Sequence, residues 1–126
     1  MLLKLTYEQI VTLHEMALVQ YGGLTGVKDE GYIHLIVDKP YSEFYGEEQY
    51  PGLFLKAAVY WHGLATAHCF NDGNKRTSLL AALTFLEING FELVVDDNVL
   101  FDVCIQLATN NLDLYGLAEW IENQFQ

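Results

Sequence analysis

The chain has 126 residues, 52% of them hydrophobic and 18% charged, which supplies one sizeable core and is too apolar for a disordered protein. Seventeen acidic against six basic residues give a formal charge of −11, so a nucleic-acid backbone would be repelled over nearly the whole surface and direct nucleic-acid binding is not expected. No apolar run is long enough to cross a bilayer, Met1–Glu8 lacks a signal-peptide pattern, and Cys69 and Cys104 are too few for a disulfide framework or a zinc site, so no membrane role and a cytoplasmic location are expected.

In chain order, Thr6-Tyr7-Glu8-Gln9 has the form of a capping box. It opens a helix with apolar positions Ile10, Leu13, Ala17 and Val19, closed by Gly22-Gly23. His14 lies on this helix, at the core or its boundary. Residues 22–31 form a glycine-punctuated loop. A short helix over Tyr32–Asp38 stops at Lys39-Pro40. Residues 41–52 show no periodicity and read as loop, whose Tyr41, Phe44, Tyr45 and Tyr50 either pack it down or line an adenine pocket. Leu53–Ala67 is apolar on several faces, the mark of a central helix. Residues 77–89 form a second central helix closed by Asn89-Gly90.

Phe91–Asp96 alone reads as a strand, and one strand makes no sheet. Asp96 or Asp97 caps a helix through Val99, Leu100, Val103, Cys104 and Leu107, and a last helix begins near Asp113 with Leu117, Trp120 and Ile121. The expectation is an all-α, compact single-domain bundle of about six helices over residues 1–126, built around the 53–67 and 77–89 pair.

The stretch between those two helices concentrates the chemistry: His68-Cys69-Phe70-Asn71-Asp72-Gly73-Asn74-Lys75-Arg76-Thr77. Gly73 lets backbone approach a ligand, and Asn74-Lys75-Arg76 lead into the first turn of a helix, where free N–H groups and the dipole attract anions. Lys75 adds a point charge, and Arg76, the only arginine in the chain, adds a fork that grips two phosphate oxygens. Asp72 suits a Mg²⁺ ion that phosphates also hold. His68 is placed to take a proton from a hydroxyl. Each residue also has an ordinary reading: His68 as a dipole partner, Asp72 or Asn74 as a helix cap, Asp-Gly as a turn and Lys-Arg as a solvated patch. Gathered in one short segment, they are the parts of phosphoryl or nucleotidyl transfer. His62 and His68 are poorly spaced on a helix for two ligands of one metal, and the absence of a His-Asp pair argues against a metal phosphohydrolase.

The segment resembles the signature of the Fic/Doc family, His-x-Phe-x-(Asp/Glu)-Gly-Asn-Gly-Arg-x-x-Arg. His68, Phe70, Asp72, Gly73, Asn74 and Arg76 match it; Lys75 replaces a glycine and Leu79 replaces the second arginine. Both departures, and Tyr21-Gly22-Gly23-Leu24-Thr25-Gly26-Val27-Lys28-Asp29, resemble the death-on-curing (Doc) toxin branch. The resemblance implies the Fic/Doc fold, ATP and Mg²⁺ as cofactors, and His68 as the catalytic base. It further implies Asp72 as the metal carboxylate, Gly73, Asn74, Lys75 and Arg76 as phosphate ligands, and Phe70 as the residue that positions the loop. Gly26, Val27, Lys28 and Asp29 would form a flap that docks the target's backbone.

Within the family, Fic proteins transfer AMP, whereas Doc resembles a kinase that binds ATP reversed and transfers the γ-phosphate. Lys75 removes backbone room for an extended nucleotide and Leu79 removes a grip on the far phosphates, so kinase activity is expected. Adenylyl transfer and a catalytically silent nucleotide- or peptide-binding module are the alternatives. The resemblance implies a threonine of elongation factor Tu as target, with arrest of translation. The family's inhibitory (Ser/Thr)-x-x-x-Glu-(Gly/Asn) string has no counterpart; Ala118-x-x-x-Glu122-Asn123 comes nearest and lacks the hydroxyl. A cognate antitoxin whose disordered tail folds along an exposed groove is therefore the expected inhibitor.

Overall fold

The computed structural model describes residues 2–126. Helix α1 (Tyr7–Tyr21) begins on the capping box: Gln9 N–H donates to Thr6 Oγ1 at 3.1 Å, and Thr6 N–H donates to Gln9 Oε1 at 2.9 Å. Of its apolar positions, Ile10 and Ala17 are buried, whereas Val19 is 89% exposed and faces solvent. Helix α2 (Glu30–Asp38) starts earlier than Tyr32 because the Asp29 carboxylate accepts the Tyr32 N–H at 3.0 Å and caps the end. The α-helix ends at Asp38, before Lys39-Pro40, as the sequence suggested. Proline's fixed φ suits the start of a helical turn, and Lys39–Tyr41 form a 3-10 turn there.

Helix α3 (Leu53–Thr66) is the central element. Ala57, Ala58, Val59, Tyr60, Trp61 and Leu64 are all buried, and α3 packs most extensively on α4 (Asn74–Ile88). Fully buried Ala81 and Ala82 on α4 keep the two helices close. Against α2, Ile36 packs onto Gly63: a Cβ there would lie 2.2 Å from Ile36 Cδ1. Two polar groups carried into this core are satisfied, Tyr60 donating to the Val37 carbonyl at 3.0 Å and Trp61 Nε1 to Cys104 Sγ at 3.3 Å. Helices α5 (Asp97–Ala108) and α6 (Leu114–Asn123) close the bundle; of the two candidates Asp96 caps the first, and Asp113, near which the last helix was expected to begin, caps the second. Six α-helices around one continuous core, among the described residues, make the class all-α.

Two local expectations are corrected. Residues 91–96 form no strand. Their alternation is real, since Leu93 and Val95 pack on the core while Val94 is exposed, but the inward residues meet helices rather than a neighbouring strand. Phe91 stacks edge-on with Phe54 and Phe125 at the start of this stretch. A two-stranded hairpin instead lies in the segment read as loop, β1 (Glu43–Phe44) pairing antiparallel with β2 (Glu47–Glu48). All four of its paired residues are exposed, so no hydrophobic alternation announces it. Of the aromatics expected to pack that loop down, Tyr41 and Tyr50 do so, whereas Phe44 and Tyr45 point to solvent.

Candidate active site

After Thr66 the chain leaves α3 and crosses to α4 through residues 67–73, a loop held from three directions. Phe70 is buried, with its ring stacked on His14 of α1 at a centroid distance of 3.8 Å and 9° between planes. The Asn74 side chain closes a two-way clasp on the same residue: its Oδ1 accepts the Phe70 N–H and its Nδ2 donates to the Phe70 carbonyl, both at 3.0 Å. Buried His14 donates from Nε2 to the Asp72 carbonyl at 2.8 Å, which fixes its tautomer, because a carbonyl only accepts.

The third restraint is the segment after α1. Val27 forms an isolated antiparallel bridge with Phe70, and the Lys28 and Asp29 N–H groups donate to the Cys69 carbonyl at 2.7 and 3.0 Å. Asn71 N–H donates to the Gly26 carbonyl, and Asn71 Nδ2 donates to the Thr25 carbonyl. Gly26, Val27, Lys28 and Asp29 are thus brought to the signature loop, with one edge of the segment paired against it. Gly26 has φ +115°, and a Cβ there would meet Asn71 Nδ2 at 2.6 Å, so this close approach requires glycine.

The mouth of α4 is open. Gly73, with φ +74° in the left-handed region, is the N-cap, and no side chain caps the helix. This corrects the reading of Asp72 or Asn74 as the cap. Asn74 turns its side chain back onto Phe70, and the Asp72 carboxylate accepts the Gly73 and Leu24 N–H groups at 2.9 and 3.2 Å. The first turn-closing bond is Thr77 N–H to the Gly73 carbonyl at 3.0 Å, so the backbone N–H groups of Asn74, Lys75 and Arg76 precede the helical ladder.

These groups border a cavity of about 520 Å³ lined by His68, Asn71, Asp72, Gly73, Asn74, Lys75 and Arg76, together with Tyr21, Gly22 and Gly23 from the end of α1 and Phe101 from α5. His68 is exposed at its rim. Neither Lys75 nor Arg76 has a carboxylate within ion-pair distance among the described residues. Tyr41, Phe44, Tyr45 and Tyr50 do not reach the cavity. Two buried free thiols lie near the site, Cys69 within the loop and Cys104 on α5. Burial, with Asp29 adding to it, pushes the Cys69 thiol up to about 11, and burial also raises that of Cys104.

No group of three His, Cys, Asp or Glu side chains among the described residues gathers as a metal cage. Asp72 is a single carboxylate at the cavity wall. That donor set fits Mg²⁺ held mostly by phosphate oxygens and water, and does not fit a metal held by protein alone.

A sequence model described as the Fic/DOC family matches residues 4–86. The chain belongs to the Fic/Doc family. It is 39% identical over 113 residues to Toxin Doc of Mycolicibacterium smegmatis, covering 88% of this chain and 85% of that one. It is 34% identical over 118 residues to Protein kinase doc of Escherichia phage P1, covering 94% of this chain and 92% of that one. The signature loop joins two central helices as the sequence suggested, but three residues around it were missed: His14 beneath Asp72, and Tyr21 and Phe101 beside Arg76. Only His14 had a signal, as an ionisable group on an otherwise apolar helix face.

Proposed function

We propose that this chain is a Doc-type toxin that transfers the γ-phosphate of ATP to a hydroxyl of a protein. The observation that carries the reading is the uncapped α4 mouth, with two cations that have no carboxylate partner among the described residues, beside an exposed imidazole. The names of the two relatives, a toxin and a protein kinase, support both halves of it.

In this reading the N–H groups of Asn74, Lys75 and Arg76 receive phosphate oxygens, and the two side chains neutralise the charge that spreads over them in the transition state. Asp72 would hold Mg²⁺, which supplies charge compensation between the phosphates when bound. His68 accepts the hydroxyl proton as the hydroxyl oxygen bonds to the γ-phosphorus. The bond from that phosphorus to the β-phosphate oxygen breaks and ADP leaves with its electrons. Phe70, clasped by Asn74 and stacked on His14, keeps the loop in register for this.

Transfer of the γ-phosphate rather than AMP follows from two positions. Lys75 puts a cation where the family's adenylyltransferases have glycine, and Leu79 is half-buried against the core where they have a second arginine. The segment at Gly26–Asp29 offers an edge for the target's backbone. The target expected from the family is a threonine of elongation factor Tu, and the expected inhibitor is a cognate antitoxin supplied in trans.

ATP labelled at the α- or the γ-phosphate, incubated with purified elongation factor Tu, tests the proposal. Label is expected on the target from the γ position and none with His68→Ala. Label arriving from the α position would make the chain an adenylyltransferase. Expression without an antitoxin should arrest translation, and His68→Ala should relieve the arrest.

A further inference from the structure

The only arginine of a strongly acidic chain has no acidic partner among the described residues. Two aromatic rings hold it instead. The Arg76 guanidinium carbon sits over the Tyr21 ring, 3.5 Å from its centroid, which is direct face contact, and 4.9 Å from the centroid of Phe101. Tyr21 is the last residue of α1 and Phe101 lies on α5, so the two rings come from elements on either side of the α4 mouth. Phe101 also lies outside the 4–86 span that the family model matches.

The difference between a ring and a carboxylate matters here. A carboxylate would orient the guanidinium by occupying its in-plane N–H donors and cancelling its charge, the same two things a phosphate needs from it. A ring face contacts the flat face of the cation and leaves the donors at its edge free. Stacking also removes rotamers from a long side chain before any ligand arrives, so less ordering is lost on binding. Seventeen acidic residues were available to pair with Arg76. Among the described residues none lies within 4 Å of it, and the cation is held by rings without being neutralised.

We propose that Tyr21 and Phe101 are positioning residues that form an aromatic clamp on Arg76, presenting its free N–H edge to the nucleotide phosphates. The clamp deepens the functional reading above and rests on it for its ligand, but its existence can be tested without nucleotide.

Selective ¹³C,¹⁵N-arginine labelling of the full chain gives one side-chain spin system. In the free protein its δ-methylene and Nε–H protons are expected upfield of an unconstrained arginine, because they lie over ring faces. Tyr21→Leu and Phe101→Leu should each move them back while the backbone amide pattern persists, and Tyr21→Phe should keep the upfield position. Arginine protons at the unconstrained position, or unmoved by either leucine, would overturn the clamp.

Calorimetry with Mg-ATP then tests its purpose. Tyr21→Leu should weaken binding by about fivefold, the scale of one exposed cation–π contact, and Tyr21→Phe should restore it. In an Arg76→Lys background, where the stacked plane is gone, the same Tyr21→Leu change should cost less than about twofold. Equal weakening in both backgrounds would mean that Tyr21 acts independently of Arg76 and would overturn the proposal. Ring-shifted arginine protons in a protein that takes up no ATP would instead sink the functional reading alone.

Discussion

Helices α3 and α4 both begin on a glycine and end up with opposite chemistry. Each starts on a glycine at positive φ, Gly52 at +88° and Gly73 at +74°, and neither has a side-chain cap. At the α3 mouth the nearby cation is Lys56, only 2% exposed, whose ammonium donates to Glu48 Oε1 at 2.9 Å and to the Tyr50 carbonyl. Glu119 and Glu122 line the hollow of about 430 Å³ that opens there beside Gly52 and Leu53. The α4 mouth carries Lys75 and Arg76, without an ion-pair partner among the described residues, with His68 and Asp72 on the same cavity. An open helix end is therefore not an anion site by itself. The surrounding charges decide, and in a chain at −11 only one of these two mouths has been left positive.

The largest effect that separates the mouths is catalytic. His68→Ala should lower transfer by about a hundred- to ten-thousandfold, the range for loss of a general base, with an unchanged melting temperature. A proportionate fall in both would mean that His68 is structural. Next, Lys56→Met should cost about 2 kcal/mol of stability in denaturant titrations, from the lost hydrogen bonds of a buried ammonium whose partner Glu48 can return to water. It should leave the affinity for ATP unchanged. Arg76→Ala or Lys75→Ala should do the reverse, weakening ATP by about tenfold through loss of a charge-assisted contact, while stability stays within error for Lys75→Ala and falls by no more than about 1 kcal/mol for Arg76→Ala, which loses its ring contacts.

Smaller still, Gly52→Ala and Gly73→Ala should each cost about 1 kcal/mol, because both place a Cβ at left-handed or otherwise positive φ. Gly73→Ala alone should also slow transfer. The smallest effect concerns Cys69. Its thiol is pushed up from an ordinary value of 9.0 to about 11 by burial and Asp29, so the unfolded chain loses this proton at lower pH than the folded one. The contribution to stability is complete below pH 9 and is lost as pH rises toward 11; chemical denaturation across that window should show the loss, and Cys69→Ala should remove it.

Much of this contrast was legible in the sequence. The signature loop, its cations and its flanking helices were found because the chemistry is contiguous, and the capping box at Thr6, the cap at Asp96 and the helix start near Asp113 depend on neighbours within one turn. What failed depended on distant partners. Phe91–Asp96 alternates as a strand does, but the residues it meets belong to helices. The 43–48 hairpin is polar on both faces and gave no period. His14 read correctly as a core or boundary residue, yet its hydrogen bond to Asp72 joins residues 58 positions apart. The Tyr21 and Phe101 contacts with Arg76 likewise exist only once α1 and α5 pack around α4. The bond from Leu24 N–H to the Asp72 carboxylate spans 48 positions and has no local signal either.

Titration of Mg-ATP into the purified chain by calorimetry, beside a Lys75→Ala/Arg76→Ala variant of equal stability, tests the difference between the two helix mouths most directly. A single saturable site in the wild type that disappears in the variant is the expected result. Equal uptake by both proteins, or none by either, would contradict it.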